Sequence, residues 1–232
     1  MVVFAQTPDV SLCNSFRYAV DYRTIELHKY CPMRIGKIVK SSSHCDYLVQ
    51  VDEQTEFLDA PKADDYGFGT FVKLEESNGR RTIGLIYNSQ LINPNFNNLG
   101  PRLTSEPDPI FAPDLITETR TVLGAVLIGS LDIHMDGYYG IQGIPRVVVP
   151  VETPVIGMTP AEIHSFHRDE NGRSQFVYYS HLLQAGGQFA KQLTYQVLRE
   201  LIDSKLFSDD EERALAVLSK DLSWRQTMGA MR

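Results

Sequence analysis

The stretch GTFVKLEESNGRRTIGLIYNSQL, residues 69–91, decides the fold, because its pattern indicates two strands joined by a tight turn. Apolar and polar side chains alternate on both sides of Ser77-Asn78-Gly79, and that tripeptide is a strong turn signal. Alternation places the apolar side chains of a strand on one face. The stretch therefore predicts a β-hairpin with one buried face.

The neighbouring segments extend this pattern. RIGKIVKSSSHCDYLVQVD, residues 34–52, alternates around a polar turn and predicts a second hairpin, so four short strands precede residue 92. RTVLGAVLIGSLDI, residues 120–133, predicts a strand in which Gly124 and Gly129 mark bends or bulges that curve a sheet toward closure. RVVVPVETPVIGMT, residues 146–159, predicts an extended segment with its prolines at edge or rim positions.

The end of the chain has a helical pattern instead. Thr159 is placed to cap a short helix, with Pro160 at its first position and Glu162 at its third. Apolar residues then recur at helical spacing within a helix predicted over residues 187–204, and they are Phe189, Leu193, Val197 and Leu201. Ser208 and the acidic residues after it open a further helix.

These patterns predict an α+β fold, a small closed or partly open β-barrel with an N-terminal arm and a C-terminal helical segment. Residues 1–32 form the arm, which is helical or irregular and is stopped by Pro32. The barrel occupies residues 33–168, with inserts near 93–118 and 132–144. The helical segment occupies residues 172–232.

Composition limits the functions that the chain can have. A hydrophobic fraction of 43% and a charged fraction of 22% are those of an ordinary soluble protein of one large or two modest domains. The net charge of -7 opposes binding to a phosphate backbone, so no direct nucleic-acid binding is expected without a local basic patch. Three cysteines without a C-x-x-C pair favour a reducing compartment. No signal peptide or transmembrane segment is predicted, so we expect a cytoplasmic protein.

The strand segments resemble a known family. RIGKIVKSSSHCDYLVQVDE, GTFVKLEESNGRRTIGLIYNSQ, TVLGAVLIGSL and IPRVVVPVETPVIGMTPAEI are similar to the HAS barrel, the small β-barrel named after the HerA translocase and ATP synthase. In that resemblance residues 36–39 are the opening strand, and residues 147–163 lead out of the barrel toward a motor domain. The related barrels contact a nuclease in HerA and form the crown of the ring in ATP synthase. The resemblance thus implies assembly with other proteins.

A motor domain would need a phosphate loop, and AGGQFAKQ, residues 185–192, is the best match to one. Ala185 and Ala190 stand where the motif needs glycine, and Gln192 stands where a hydroxyl would ligate magnesium. Phe189 would crowd the backbone amides that face the phosphates. We therefore expect a helix start here, no bound ATP or GTP, and no cofactor.

Other polar clusters give weaker signals. His164, His167 and His181 share too few further ligands for a metal site, so no metal is expected. His134 with Asp136 lies in a glycine-rich turn, where turn formation is the favoured role. Cys45 has His44 and Asp46 beside it, but neighbours in a strand point to opposite faces. No catalytic residue is predicted from these clusters.

Aromatic and apolar residues near predicted turns and on the predicted helices are the candidates for binding a partner. They are Tyr66, Phe68, Phe71, Tyr138, Tyr139, Leu193, Val197 and Trp224. The favoured hypothesis is a non-enzymatic barrel that binds protein partners as a homo-oligomer or as a member of a larger complex. One alternative is an accessory factor in DNA processing that acts with a HerA-like ATPase or nuclease, and another is an enzyme with an unrecognised pocket.

Overall fold

A computed structural model describes residues 32–53, 57, 59–92, 120–134, 137–185 and 189–230 of the 232-residue chain. Its strands are β1 (Arg34–Ser41), β2 (Asp46–Val51), β3 (Phe71–Glu75), β4 (Arg81–Ile92), β5 (Arg120–His134), β6 (Gly137–Gln142) and β7 (Pro154–Gly157). Its helices are α1 (Pro160–Phe166), α2 (Tyr178–Ala185), α3 (Ala190–Asp203) and α4 (Asp209–Ala230), with a 3-10 helix at Ala63–Tyr66. The predicted arm up to residue 31, the insert near 93–118, Asp136 and the side chain of His134 lie outside the described residues.

Six antiparallel strands close into a barrel. They run in the order β2, β1, β7, β3, β4, β5, and β5 pairs back onto β2 through the register from Asp46 opposite Val126 to Gln50 opposite Val122. The predicted α+β fold with a barrel is confirmed, and the barrel is closed. In a closed barrel every strand has a neighbour on both sides, so an edge is exposed only where one strand extends beyond the end of the next.

The ladder between β4 and β5 is irregular at the two glycines of β5. The pairing shifts register between Ile83 and Gly84, opposite Gly129, and again between Ile86 and Asn88, opposite Gly124. Each shift is a β-bulge, which increases local twist and bends the strand. The predicted bulge in β5 is therefore confirmed at Gly129, where Ile128 is the extra residue, whereas at Gly124 the extra residue is Tyr87 of β4.

The chain buries two apolar cores that share strand β5. Leu123, Ala125 and Leu127 pack inside the barrel, whereas Val126 and Ile128 belong to the cluster between the sheet and the helices. Successive side chains of a strand point to opposite faces, so a strand buried on both faces needs a continuous apolar run. That requirement explains why residues 122–128 lack polar side chains.

Helix α1 begins as the sequence predicts. The Thr159 hydroxyl accepts a hydrogen bond from the Glu162 backbone N–H, and the Thr159 N–H donates to the Glu162 carboxylate at 2.9 Å. The two bonds satisfy backbone groups that the first turn leaves without partners. Glu162 also forms a salt bridge with the buried Lys73 of β3, which fixes the helix to the barrel.

Helix α3 covers the outer face of the sheet. Its stripe of Leu193, Val197 and Leu201 is buried, and burial of each such side chain stabilises the fold by about 1.5–3 kcal/mol. Phe189 departs from the predicted stripe, because it precedes the helix and remains 43% exposed. Leu193, Val197 and Leu201 therefore pack in the core of the chain itself, whereas Phe189, the first residue of the predicted stripe, does not.

Residues 137–142 form strand β6 rather than a turn-rich insert. The strand pairs with the end of β5, from Gly129 opposite Gln142 to His134 opposite Gly137. Gly140 N–H donates to the carbonyl oxygen of Arg168, and a Cβ at Gly140 would lie 1.9 Å from the carbonyl oxygen of Phe166. Glycine is thus needed at position 140 because α1 approaches closely. Since a glycine interrupts apolar alternation, the sequence pattern did not predict this strand.

Among the described helices, none combines the length and the apolar character that crossing a lipid bilayer requires.

Candidate functional site

A groove forms where two neighbouring strands separate. Strands β3 and β4 pair as far as Phe71 opposite Leu85, and the ladder continues for one step beyond. There the Ile86 N–H donates to the Thr70 carbonyl at 3.1 Å, and the Gly69 N–H donates to the Ile86 carbonyl at 2.8 Å. Past this point residues 66–68 leave the edge of β4, and a groove opens between them.

We call this feature the aromatic groove. Its volume is about 440 Å3, within the range of ligand-sized clefts. One wall is the end of the 3-10 helix with the residues after it, the other is β4, and the side chain before α3 closes one end. The lining residues are Ala63, Tyr66, Gly67, Phe68, Ile86, Tyr87, Asn88, Ser89 and Phe189.

The first wall is held by local hydrogen bonds. The Lys62 N–H donates to Asp65 Oδ2 at 2.7 Å, and the Asp65 N–H donates to the Lys62 carbonyl at 2.9 Å. One turn later the Thr70 N–H donates to the Gly67 carbonyl at 3.1 Å. With the two bonds to β4, these contacts fix the backbone on both sides of Phe68 before any ligand binds.

Two phenylalanines meet at the end of the groove. The rings of Phe68 and Phe189 pack edge to face, with their centroids 6.4 Å apart. Phe68 is 38% exposed and Phe189 is 43% exposed, so each ring supports the other and still presents a large part of its surface to solvent. Edge-to-face pairs of this kind stabilise an arrangement by about 0.5–1.5 kcal/mol beyond area burial.

Tyr87 provides a fixed side wall on β4. Its hydroxyl donates to Asp46 Oδ1 at 2.7 Å, across the barrel wall from β2. Burial of the ring, with Asp46 as the second cause, raises the pKa of Tyr87 to about 12. The phenol therefore stays neutral at physiological pH, and its hydrogen bond holds the ring in one orientation.

The surroundings of the groove carry carboxylates. Asp64 and Asp65 lie on the 3-10 helix that forms one wall, where Asp64 is exposed. On α3, Glu200 Oε2 would lie 3.7 Å from a Cβ built on Gly69, so its carboxylate reaches the residue after Phe68. Lys62 precedes the same 3-10 helix. Three carboxylates and one ammonium group make this surface acidic.

Within the described residues, the edge of β4 that faces the groove has no partner strand beyond Ile86. The Ser89 N–H donates to Asn88 Oδ1 at 3.0 Å, so it points away from β5 and is satisfied by the preceding side chain. Leu91 is 77% exposed near the end of this edge. The groove thus combines aromatic walls with an open strand edge.

The structure divides the predicted partner-binding residues into three sets. Tyr66 and Phe68 line the aromatic groove. Tyr138 and Tyr139 lie together on β6, where the Arg81 guanidinium lies 4.7 Å from the centre of the Tyr138 ring, and Trp224 is exposed on α4. The remaining three are buried in the core between sheet and helices and present no surface to a partner, and they are Phe71, Leu193 and Val197.

The predicted histidine cluster is tied into the fold. His167 is fully buried, and its Nδ1–H donates to the Ile163 carbonyl at 2.7 Å. Its Nε2 therefore accepts the hydrogen bond from the Tyr178 hydroxyl at 2.9 Å. His181 Nε2 donates to the Leu127 carbonyl at 3.1 Å. Burial lowers the pKa of His167 to about 4, so its imidazole is neutral at physiological pH.

The members of the predicted thiol cluster are directed elsewhere. Cys45 is buried in the barrel core, and burial raises its pKa, which disfavours the thiolate. His44 hydrogen bonds through Nε2 to the Pro145 carbonyl at 2.7 Å, and Asp46 accepts the bond from Tyr87. The three side chains share no site.

The segment compared with a phosphate loop has a different setting. Lys191 is exposed on the first turn of α3 and lines a cleft of about 250 Å3 between α2, α3 and α4. Tyr179, Tyr195 and Leu222 lie along the same cleft. Residues 186–188 lie outside the described part of the chain.

The sequence-based candidates did not include two of the four aromatic residues that line the groove, Tyr87 and Phe189. Tyr87 falls in a strand pattern, and its place at a bulge opposite Gly124 depends on the pairing with β5. Phe189 fits an apolar helical stripe, and only the helix start at Ala190 shows that it lies outside. The signal that was available is the density of aromatic residues around 66–71.

Fold and site together define the class of protein, a closed antiparallel β-barrel with a helical layer and an aromatic groove beside an open strand edge. The chain belongs to the family described as domain of unknown function DUF8166, whose match spans residues 22–232. All residues that line the groove fall within that span. Among curated proteins, none matches the sequence.

Proposed function

We propose that this chain is a non-enzymatic β-barrel protein that binds a protein partner through the aromatic groove. One observation carries the proposal: Phe68 and Phe189 pack edge to face on each other and yet are 38% and 43% exposed. Two large apolar rings fixed at the surface before binding are typical of the residues that dominate interface energies.

Side chains that are ordered before binding favour a tight interface. An aromatic side chain contributes most to an interface when it is already ordered, because binding then costs little side-chain entropy. The hydrogen bonds at Lys62, Thr70 and Ile86 order the wall, and Asp46 orders Tyr87. Truncating a central aromatic residue of an interface costs about 2 kcal/mol or more in binding free energy.

We further propose that the barrel is of the HAS type and that it acts in the cytoplasm within a larger complex or as a homo-oligomer. The closed antiparallel barrel is built from the segments that carry the resemblance, and this supports the first part. The cysteine pattern supports the second. Light scattering tests self-association, because a mass near 26.2 kDa means a monomer.

The test compares three forms of the chain as bait in cell extract, with quantitative mass spectrometry of the retained proteins. They are the wild type, the double variant Phe68→Ser with Phe189→Ser, and the control Trp224→Ser, which removes an aromatic residue that is 66% exposed on α4. The proposal predicts that at least one protein is retained by the wild type and the control and reduced tenfold or more with the double variant.

Melting curves establish that the double variant is folded. Equal retention by all three folded forms would contradict the proposal. Loss of the retained protein with Trp224→Ser alone would contradict it as well, because the interface would then lie on the helices. A retained ATPase or nuclease of the HerA type would identify the chain as an accessory factor in DNA processing.

A further inference from the structure

We propose that the partner supplies an extended, basic segment that adds to the open edge of β4 as a further strand and places an apolar side chain in the aromatic groove. This inference rests on the proposed function, because it assigns the chemistry and conformation of the protein segment that the groove binds. It adds the mode of recognition to the site.

The edge of β4 offers backbone groups with which a partner strand can pair. β4 continues to Ile92, whereas its pairing on the side of β3 stops at Ile86, so the ladder is left incomplete within the described residues. The Ser89 N–H lies on that side and is occupied only by Asn88 Oδ1 of the preceding residue. A partner carbonyl could replace the amide oxygen without leaving a donor unsatisfied. An exposed edge of this kind is a template for strand addition.

The position of the groove fixes what the added strand carries. It lies beside the open edge, with Asn88 and Ser89 in one wall and Tyr66 and Phe68 in the other. In an extended segment alternate side chains point to the same face. A segment paired with residues 88–92 therefore directs every second side chain toward the aromatic walls, which accommodate aliphatic or aromatic groups.

Charge selects a basic segment. Asp64 and Asp65 lie on the wall that faces the added strand, Glu200 lies near Gly69, and Lys62 precedes that wall. At the far end of the edge, Arg120 lies opposite Ile92 and is paired with Glu53. An acidic partner would be repelled, whereas lysine or arginine beside the apolar side chain would meet both the carboxylates and the aromatic faces. The chain as a whole has a net charge of -7, which favours the encounter with a basic segment.

Selection from a phage library of random dodecapeptides against the full-length chain tests the composition. We expect enriched peptides with lysine or arginine and with apolar residues at every second position. A parallel selection uses the variant with Phe68→Ser and Phe189→Ser, on which these peptides should not be enriched. Enrichment of acidic peptides, of apolar residues at helical spacing, or of the same peptides on both chains would overturn the inference.

Two substitutions at one position test the backbone contact. Ser89→Pro removes the N–H at the open edge, where proline is tolerated, and Ser89→Ala keeps it. Neither changes the net charge. Fluorescence anisotropy with the best enriched peptide should show binding at least tenfold weaker to Ser89→Pro and within twofold of wild type to Ser89→Ala. Equal affinity for both variants would overturn strand addition.

The outcomes separate the two proposals. If the peptide loses affinity for the variant with Phe68→Ser and Phe189→Ser but keeps it for Ser89→Pro, the groove binds protein but not as an added strand. If it keeps affinity for both, the groove itself is excluded. Should Ser89→Pro fail to fold, peptides methylated at single backbone nitrogens replace it. Strand addition then requires loss of affinity at alternate positions, and uniform affinity along the peptide contradicts it.

Discussion

The ring of Phe68 packs edge to face on the ring of Phe189, with centroids 6.4 Å apart, and so joins the segment before β3 to the start of α3. This contact connects the barrel with the helical layer at the surface of the molecule. Because both rings stay partly exposed, the contact orders them without burying them. A partner that covers the pair would gain apolar burial from side chains already in place.

A double-mutant cycle measures this contact in the free protein. We expect Phe68→Ala and Phe189→Ala to be coupled by about 0.5–1.5 kcal/mol in the free energy of unfolding. A second cycle of Phe68→Ala with Val217→Ala, an exposed residue of α4, serves as the control and should be additive. Urea unfolding gives both values, and an additive first cycle would mean that the rings do not support each other.

Gly140 sets the distance between β6 and α1. We predict that Gly140→Ala destabilises the fold by about 3 kcal/mol or more, because the new Cβ would lie 1.9 Å from the Phe166 carbonyl oxygen. Gly157→Ala is the matched control, since its Cβ would meet nothing nearer than 3.7 Å. Denaturant unfolding compares the two, and similar losses would show that β6 and α1 are farther apart than described.

Lys73 and Glu162 form an ion pair that is largely buried between β3 and α1. We expect Lys73→Met to cost about 3 kcal/mol, because it leaves the Glu162 carboxylate desolvated without its cation. Adding Glu162→Gln removes that charge and keeps a side chain that can accept the hydrogen bond from the Thr159 N–H at the start of α1. The double variant should therefore recover part of the loss in chemical unfolding. A double variant less stable than Lys73→Met would contradict this account.

His167 makes stability depend on pH. Its pKa is about 4 in the folded chain, against about 6.5 for an ordinary histidine, because burial disfavours the charged ring. Between these values the unfolded chain binds a proton that the folded chain does not, so stability falls as pH decreases from 6.5 to 4. The loss over that window is about 3 kcal/mol.

His167→Gln provides the comparison for this pH dependence. The variant is less stable at pH 7, since it disturbs the bond with Tyr178, but it lacks the titration. The difference in unfolding free energy between wild type and variant should therefore shrink on acidification. A difference that stays constant between pH 7 and pH 4 would show that His167 does not remain neutral in the folded chain.

Local signals predicted local structure well. The cap at Thr159 and Glu162 and the turn at Gly79 depend on a few adjacent residues, and both are present. The bulge at Gly129 followed from glycine in an otherwise apolar run, whereas the bulge opposite Gly124 lies in β4 at Tyr87. Strand β6 was missed because Gly140 interrupts its apolar pattern. Glycine is needed there to leave room for the Phe166 carbonyl, which is distant in sequence, so no local pattern indicates it.

The candidate site depends on tertiary structure, and only part of it could be predicted. Tyr66 and Phe68 were identified from aromatic density, but Phe71 has the same signal and is buried in the core. The groove exists because β3 and β4 separate beyond Ile86, and strand length alone does not show where a partner strand ends. Phe189 joins it through a contact with a residue far away in the sequence.

Photo-cross-linking from the groove tests the central claim most directly. The photoreactive residue p-benzoylphenylalanine replaces Phe68 in one chain and Val217, which is 67% exposed on α4, in the other. On irradiation in cells, the chain labelled at position 68 should form a defined adduct with a protein whose cross-linked peptide is basic and apolar, and the chain labelled at 217 should not form it. Adducts that are the same from both positions, or a defined adduct from 217 alone, would contradict the assignment of the aromatic groove as the binding site.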